Sequence, residues 1–205
     1  CPEVMAHAVE SSAELLPLLA RADVIAIGPG LGQGEWGRAM LAAVLHAPTP
    51  RVLDADALNL LAATATTLGE DDIITPHPGE AARLLATATT DIQADRFAAA
   101  TALQDKFGST VVLKGAGSLV QAAGSVPAVI GAGNPGMGVG GMGDVLTGVI
   151  AALRAQGFAA PAAATIGALL HAAAGDAAAL DDGERGLLPS DLLPWLRRLA
   201  NPVRR

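Results

Sequence analysis

The sequence is nearly free of cysteine and is poor in aromatic and charged residues. Its 205 residues include one cysteine, Cys1, which excludes a disulfide within the chain. Aromatic residues make up 2% of the chain and no long basic run occurs, so the stacking and basic surfaces of a nucleic-acid-binding protein are missing. Charged residues make up 16% and hydrophobic residues 51%, a balance that excludes a disordered chain. With 13 basic and 20 acidic residues, the net charge is −7.

The sequence also lacks an initiating methionine and a recognisable leader. It begins at Cys1, and no charged-then-apolar segment follows. We therefore expect one domain over residues 1–205 whose first, N-terminal part is missing. The absent leader and the single cysteine favour a cytoplasmic protein.

One stretch raises the question of a membrane helix. Residues 158–175 contain no Asp, Glu, Lys or Arg, and this length reaches the lower limit for a spanning helix. The stretch is mostly alanine, contains Pro161 and His171, and has no flanking aromatic belt. We therefore predict a small-residue helix packed between other elements, and no membrane partner.

Short apolar runs recur along the first half of the chain, and each is followed by glycine or turn residues. They do not alternate with polar residues, which is typical of strands buried on both faces. These runs cover residues 23–27, 51–53, 73–74 and 110–113. Helical patterns follow the first three, at residues 36–45, 57–64 and 81–85. The alternation predicts an α/β fold with a mostly parallel sheet, whose ligand site lies in the loops after the strands.

The second half of the chain is predicted to be mostly helical after a glycine-rich loop. The loop covers residues 131–143, and the predicted helices cover residues 145–156, 162–180 and 190–199. Ser190 is expected to be the N-cap of the last helix, with Asp191 in its first turn.

The glycine-rich loop is the strongest functional motif. Seven glycines between Gly131 and Gly143 precede Asp144, where the next helix is expected to begin. Free N–H groups at a helix N-terminus, with no side chains in the way, form an anion site. Asp144 is placed to accept a proton from a hydroxyl group. The alternative is a flexible surface loop with Asp144 as an ordinary N-cap.

Two further glycine-containing loops follow predicted strands. The glycines at 28, 30, 32 and 34 do not match the dinucleotide fingerprint, so they indicate either close approach to a ligand or a tight turn. The other loop begins at Lys114, whose charge could lie near phosphates. A surface hairpin turn with a solvated lysine is the alternative.

Three polar side chains complete the candidate site. His77 lies between Pro76 and Pro78, which fix its backbone and hold the ring ready for substrate contact; a capping role is the alternative. Asp54 and Asp56 are expected on one side of the chain, where they could organise a metal or ligand hydroxyls. The alternative is that Asp56 caps a helix beginning at residue 57.

Five motifs, taken in order, resemble the ribokinase-like NAD(P)H-hydrate dehydratase family. They are GPGLG, DADALNLL, TPHPGEAARLL, VVLKGAGS and GNPGMGVGGMGDVLTG, and the resemblance runs from about Ala22 to Pro202. It implies a three-layer α/β/α sandwich. It also implies dehydration of (6S)-NADHX or NADPHX, the hydrated forms of NADH and NADPH, while ADP becomes AMP and phosphate and Mg²⁺ accompanies the nucleotide. The closing LLPSDLLPWLRRLANP is similar to the end of bifunctional members, in which an epimerase comes first; a free-standing enzyme is the other interpretation.

The resemblance implies a role for each matching residue. Asp144 is the candidate base for the ring hydroxyl and a substrate contact, and Gly32 and His77 contact the hydrate. The nucleotide is held by Lys114, Gly115, Ala116, Gly117, Ser118 and Gly143. The transferring phosphoryl group is cradled by Asn134, Gly140, Gly141 and Gly143.

Two features depart from the family's pattern. Gly138 and Val139 stand where an Ala-Thr or Ala-Ser pair is expected, which removes one hydroxyl from the loop. The family's opening region, which supplies its first strands and an early substrate contact, is missing. Members are often tetrameric, so we expect a homo-oligomer whose partners are small-molecule nucleotides.

Two other functions remain open at this stage. A ribokinase-like kinase of a vitamin-precursor alcohol would use the same loop and the same aspartate, although the TPHPGE and DADAL motifs favour the dehydratase. A non-catalytic nucleotide sensor would keep the fold, but mere binding does not need a base at Asp144.

Overall fold

A computed structural model describes residues 2–64 and 66–201 of the chain. Cys1, where the expected domain begins, lies outside the described residues. Pro202, where the family resemblance ends, also lies outside them. Six strands form one mixed sheet, ordered as they occur along the chain. They are β1 (Ile25–Ile27), β2 (Arg51–Leu53), β3 (Ile73–Ile74), β4 (Thr110–Leu113), β5 (Ser118–Gln121) and β6 (Ala128–Ile130).

The sheet is parallel in its first part and antiparallel in its last. Strands β1 to β4 pair in parallel, with Ile25 opposite Arg51 and Ile73 opposite Thr110. Strands β4, β5 and β6 pair in antiparallel fashion. Three of the five pairings are parallel, so the prediction of a mostly parallel sheet is confirmed. The sequence patterns did not predict β5 and β6.

Nine α-helices lie within the described residues and surround the sheet. They are α1 (Ser12–Leu19), α2 (Glu35–His46), α3 (Ala55–Leu61), α4 (Pro78–Leu85), α5 (Thr89–Ala94), α6 (Arg96–Phe107), α7 (Met142–Ala155), α8 (Ala160–Asp182) and α9 (Leu192–Leu199). Short 3-10 turns at Pro135–Met137 and Pro189–Asp191 complete the regular structure. The predicted helices are present, and α1, α5 and α6 are additional to them.

The prediction that Ser190 caps the last helix is wrong. Pro189 opens a 3-10 turn in which Ser190 is an internal residue, because proline is well suited to the first position of a helical turn. The Asp191 carboxylate accepts a hydrogen bond from the Leu188 N–H at 2.8 Å. Helix α9 then begins at Leu192, which is completely buried.

Neighbouring residues of the central strands point to opposite faces of the sheet. Leu53 and Ile74 belong to a core that packs under α2, α3, α4 and α6. Val52, Ile73 and Val112 belong to a second core that packs under α7 and α8. Because alternate strand residues fill the two cores, helices cover both faces of the sheet. The predicted three-layer α/β/α architecture is confirmed.

Helix α8 contains most of the charge-free stretch. Among the helices of the described residues, it is the one that is long and apolar enough to cross a membrane by length and composition. Half of its apolar 18-residue segment is buried inside the protein. It packs against α7, α9 and strands β4, β5 and β6. Its small residues permit close contact: a Cβ at Gly167 would lie 2.7 Å from Ile150 Cγ1. The prediction of a helix packed between other elements agrees with these contacts.

The carboxyl ends of β1 to β4 lie along one edge of the sheet because these strands are parallel. The residues that follow the strands are Gly28, Asp54, Thr75 and Lys114. Each begins one of the loops that the sequence marks as functional, so the fold brings these loops together at the edge where α/β sheets bind ligands.

Candidate functional site

A cavity of about 890 Å³ opens at this edge of the sheet. Its walls come from the loop after each of β2, β3 and β4, from the glycine-rich loop and from α8. The lining residues include Asp54, His77, Glu80, Lys114 to Ser118, Gly131 to Pro135, Met137 to Asp144, Ala168, His171 and Ala172. Except for Gly32, every residue assigned a role by the family resemblance lines this cavity.

Asp54 is the buried centre of one wall. Its carboxylate is 1% exposed, and its Oδ1 lies 2.7 Å from Lys114 Nζ. The buried Thr147 hydroxyl donates a hydrogen bond to Asp54 Oδ2 at 3.0 Å. Both carboxylate oxygens therefore have partners, one from the loop after β4 and one from α7. This network joins the two halves of the site.

Asp54 and Asp56 do not lie on the same side of the chain, so that prediction is wrong. The chain leaves the strand at once, because α3 begins at Ala55, and the alternation of side chains ends there. Asp56 is turned to the loop after β1, where it accepts hydrogen bonds from the Gly32 N–H at 2.9 Å and the Gln33 amide at 3.0 Å. The Gln33 amide, helped by the Gly32 N–H, lowers the pKa of Asp56.

The loop after β1 packs closely against the protein. A Cβ at Gly28 would clash with the Asp54 carbonyl oxygen, and one at Gly37 would clash with the Gly32 carbonyl oxygen. Packing therefore accounts for Gly28 and Gly37, whereas Cβ atoms at Gly30 and Gly32 would meet open space. The latter two have φ +66° and +72°, so their backbone conformation is what favours glycine. Gly32 does not line the cavity, and its contact with a substrate stays a prediction.

His77 is the N-cap of α4. Its Nδ1 accepts a hydrogen bond from the Gly79 N–H at 3.0 Å, and the Glu80 carboxylate accepts one from the His77 N–H at 2.7 Å. Pro78 occupies the first helical position. The capping alternative is therefore realised. The His77 side chain is nevertheless 50% exposed where it lines the cavity, so substrate contact stays a prediction.

Lys114 and the residues after it form the hairpin turn between β4 and β5. The hairpin alternative is correct, but the lysine is not solvated, since its side chain is 19% exposed. Its ammonium group lies 2.7 Å from Asp54 and 3.9 Å from Glu80. Two carboxylates thus compensate the charge of Lys114 before any ligand binds.

Arg96, at the start of α6, supports this turn from behind, and no sequence motif marked it. Its guanidinium donates hydrogen bonds to the carbonyl oxygens of Ala116 at 2.5 Å and Leu113 at 3.2 Å. Burial lowers the pKa of Arg96, but a guanidinium stays protonated in proteins. The only local signal is Asp95, whose side chain caps α6 by accepting from the Ala98 N–H.

The end of the glycine-rich loop forms the N-terminus of α7. Gly141 is the N-cap with φ +91°, a conformation that favours glycine. Within the described residues, the N–H groups of Gly143 and Asp144 have no acceptor. A Cβ at Gly143 would lie 3.0 Å from Lys114 Nζ and 3.2 Å from Asp54 Oδ2. Free N–H donors at the positive end of a 14-residue helix are the arrangement that binds anions.

Asp144 is exposed in the first turn of α7 and lines the cavity. It is not the N-cap, which is Gly141. No hydrogen-bond donor or cation of the described residues contacts its carboxylate, in contrast to Asp54. An unengaged carboxylate beside free N–H donors can accept a proton from a hydroxyl group whose oxygen then attacks a bound phosphoryl group.

The beginning of the glycine-rich loop is fixed by α8. Asp176 accepts hydrogen bonds from the Gly133 N–H at 2.8 Å and the Asn134 amide at 3.0 Å. The side-chain oxygen of Asn134 accepts from the Gly136 N–H at 3.0 Å. The Asn134 side chain is thus engaged within the loop, and its contact with a phosphoryl group stays a prediction. No sequence motif marked Asp176.

His171, also on α8, is a buried member of the cavity wall. It is 8% exposed, and its Nε2 has no hydrogen-bond partner among the described residues. Burial lowers the pKa of His171 to about 4, and the nearby Lys114 charge contributes to the lowering. His171 is therefore neutral at pH 7.

The described residues contain no group of three or more His, Cys, Asp or Glu that could hold a metal ion on their own. Mg²⁺ is commonly bound by one or two carboxylates together with substrate phosphates. The carboxylates of Asp54 and Glu80 line the cavity, but both already have partners within the protein. They do not fit such an ion as they stand, so the phosphates of a nucleotide would have to supply most of its ligands.

Comparisons with known proteins show which family the chain resembles. A family model described as NAD(P)H-hydrate dehydratase matches residues 1–198. The bifunctional NAD(P)H-hydrate repair enzyme Nnr of Coxiella burnetii is 49% identical over 201 residues, which cover 98% of this chain and 41% of the relative. The ADP-dependent (S)-NAD(P)H-hydrate dehydratase of Neisseria meningitidis is 42% identical over 212 residues, which cover 98% of this chain and 70% of the relative.

A solved structure of similar fold comes from Bacillus subtilis. It is an ADP/ATP-dependent NAD(P)H-hydrate dehydratase co-crystallised with ATP/Mg²⁺ and soaked with CoA, with 29% identity, a TM-score of 0.77 and coverage of 89% of this chain and 69% of that one. Ribokinase-like proteins are among the similar structures, so the fold is ribokinase-like. The chain spans about 41% of the length of the bifunctional relative.

Proposed function

The chain belongs to the NAD(P)H-hydrate dehydratase family, and on that premise we propose that its cavity converts (6S)-NADHX or NADPHX back to NADH or NADPH while ADP becomes AMP and phosphate. The observation that carries the proposal is the free Asp144 carboxylate beside the free N–H groups of Gly143 and Asp144. Together these groups supply a base and an anion site at one end of the cavity.

Asp144 performs the first proton transfer in this scheme. Its carboxylate accepts the proton of the ring hydroxyl, whose oxygen forms a bond to the terminal phosphorus of ADP while the bond between that phosphorus and the bridging oxygen of AMP breaks. The N–H groups of Gly143 and Asp144 stabilise the charge on the transferred group. The bond between the ring carbon and the ester oxygen then breaks and phosphate leaves, and the departing phosphate accepts a proton from the neighbouring ring carbon, which restores the dihydropyridine. Phosphorylation helps because hydroxide is a poor leaving group.

The other predicted contacts divide between the two substrates. Lys114 to Ser118 and Gly143 hold the adenine nucleotide, and Asn134, Gly140 and Gly141 surround the transferring group. His77 and Gly32 contact the hydrate. Mg²⁺ held by the phosphates of the nucleotide would neutralise phosphate charge during transfer.

The residues described fit one catalytic domain, and we propose that it works as a cytoplasmic homo-oligomer on small-molecule nucleotides. The family resemblance supports a homo-oligomer, and the nucleotide substrates support the location. Sedimentation equilibrium of the purified protein measures the assembly directly, and a monomer at working concentration would contradict it.

The function is tested by incubating the purified protein with NADHX and either ADP or ATP and following absorbance at 340 nm. The proposal predicts recovery of NADH, with a higher rate for ADP than for ATP. A parallel incubation offers ATP and a hydroxymethyl heterocycle. Phosphorylation of the heterocycle, without NADH recovery with either donor, would assign the site to a small-molecule kinase instead.

A further inference from the structure

The two cations beside the turn 114–118 differ in what compensates their charge. Lys114 is paired with Asp54 and lies near Glu80. Arg96 forms no ion pair with any carboxylate in the described part of the chain. Of these two cations, Arg96 is therefore the one whose charge no carboxylate of the described residues compensates.

Arg96 also fixes the direction of the turn's peptide groups. Its guanidinium donates to the Ala116 carbonyl at 2.5 Å, and in a trans peptide the C=O and N–H groups point in opposite directions. The Gly117 N–H therefore points away from Arg96. Ala116 and Gly117 both line the cavity, and neither N–H has a backbone acceptor among the described residues.

The turn is shaped to receive the guanidinium. Gly115 has φ +148°, and a Cβ at this position would lie 3.0 Å from Arg96 Nη2. The planar guanidinium also reaches the Leu113 carbonyl at 3.2 Å through its other terminal nitrogen, so one rigid fork holds two carbonyl groups. The contact depends on the arginine fork as well as on its charge.

We propose that Arg96 is a positioning residue for the nucleotide: it orients the peptide group between Ala116 and Gly117 toward the cavity and supplies the unpaired positive charge that attracts the phosphates of ADP. This inference rests on the proposed function in taking ADP as the ligand. The main positive charge that attracts the phosphates is thus assigned to Arg96, a residue that does not itself line the cavity.

Arg154 offers a control, because its guanidinium also holds a backbone carbonyl but lies at a remote position and has a carboxylate partner. Its guanidinium donates to the Phe158 carbonyl at 2.6 Å and to the Asp71 carboxylate at 2.9 Å, and its side chain is 8% exposed. The Nε atoms of Arg96 and Arg154 are both buried without a partner among the described residues. Arg154 lies near the start of β3, away from the cavity.

The experiment measures binding of ADP and of adenosine by calorimetry, and the KM of each substrate, for Arg96→Met, Arg96→Lys and Arg154→Met. For Arg96→Met we expect ADP to bind about tenfold more weakly, with adenosine binding, kcat at saturation and the KM for the hydrate within about twofold of wild type. Arg96→Lys keeps the charge but not the fork, so we expect an intermediate loss. Arg154→Met is expected to lower thermal stability and leave ADP binding unchanged.

The outcomes separate this inference from the proposed function. If the wild-type protein binds ADP but recovers no NADH, the proposed function fails while the role of Arg96 in ADP binding is still measured. ADP binding within about twofold of wild type in folded Arg96→Met would overturn the inference alone. Equal losses for ADP and adenosine, or equal losses in the Arg96 and Arg154 variants, would also overturn it. A wild-type protein that binds no ADP contradicts both.

Discussion

The two walls of the cavity are built in opposite ways. On the wall formed by Asp54, Glu80, Lys114 and Thr147, which we term the closed wall, the polar groups bind one another. On the wall formed by residues 139–144, which we term the open wall, the Asp144 carboxylate and the N–H groups of Gly143 and Asp144 have no partner among the described residues. Groups that already have partners gain little from a ligand. The comparison assigns shape and stability to the closed wall and chemistry to the open wall.

The largest expected effect comes from Asp144→Asn, which removes the base from the open wall. We expect kcat to fall by about a thousandfold, because a positioned general base contributes about a hundredfold to ten-thousandfold. AMP binding and the free energy of unfolding are expected to stay close to wild type, since Asp144 is exposed and engaged by no other described residue. Steady-state rates at 340 nm, AMP calorimetry and denaturant unfolding measure the three quantities. Unchanged turnover would reject Asp144 as the base.

The converse change is Asp54→Asn on the closed wall, where stability is expected to fall. Loss of one partner of a buried ion pair costs about 3 kcal/mol, because the remaining charge loses its nearest partner; Lys114 would keep only Glu80, at 3.9 Å. The matched control is Asp71→Asn, which removes the pair between Asp71 and Arg154. The Asp71 side chain is 78% exposed, so we expect this loss to cost about 0.5 kcal/mol or less. Urea unfolding of both variants measures the difference. Equal losses would contradict the structural role of the closed wall.

A third prediction concerns His171, a buried residue of the cavity wall that must stay neutral. Its pKa is about 4 in the folded protein, against an ordinary value of 6.5, so only the unfolded chain binds a proton between these values. The contribution of neutral His171 to the free energy of unfolding is therefore fully present above pH 6.5. It falls as the pH decreases from 6.5 toward 4, by about 2 kcal/mol between pH 7 and pH 5.

This contribution is measured by comparing wild type with His171→Gln in urea at the two pH values. The variant cannot take up the proton, so it should lose less stability on acidification. Identical pH dependence in the two proteins would contradict the buried, neutral state of His171.

The smallest expected effect is that of Thr147→Val, which sharpens the account of the closed wall. The variant keeps the shape of the side chain but removes the hydroxyl that donates to Asp54 at 3.0 Å. We expect a loss of about 1 kcal/mol in the free energy of unfolding, the usual contribution of one hydrogen bond. In the Asp54→Asn background the same substitution should cost less, as a double-mutant cycle measures. Full additivity would show that the two residues do not interact.

Local patterns predicted the first four strands, most helices and the open wall. Buried parallel strands and the glycine-rich loop carry their signals in adjacent residues, so β1 to β4 and the N-terminus of α7 could be recognised. The Asp54–Asp56 prediction failed because strand alternation was extended too far, into a helix that begins at Ala55.

Long-range contacts could not be predicted in this way. Arg96 is 20 residues from the carbonyl of Ala116, and Asp176 is 43 residues from Gly133. Asp54 and Thr147 are 93 residues apart. No periodicity links such positions, so the sequence placed Lys114 beside the nucleotide without showing that Asp54 already compensates its charge.

The central claim is that the open wall transfers a phosphoryl group from ADP to the hydrate, and the stoichiometry of the reaction tests it most directly. NADH is followed at 340 nm while AMP and phosphate are quantified in the same samples. The account predicts one AMP and one phosphate for each NADH formed, and no NADH without ADP or ATP. NADH formation that consumes no nucleotide, or nucleotide consumption without NADH, would contradict it.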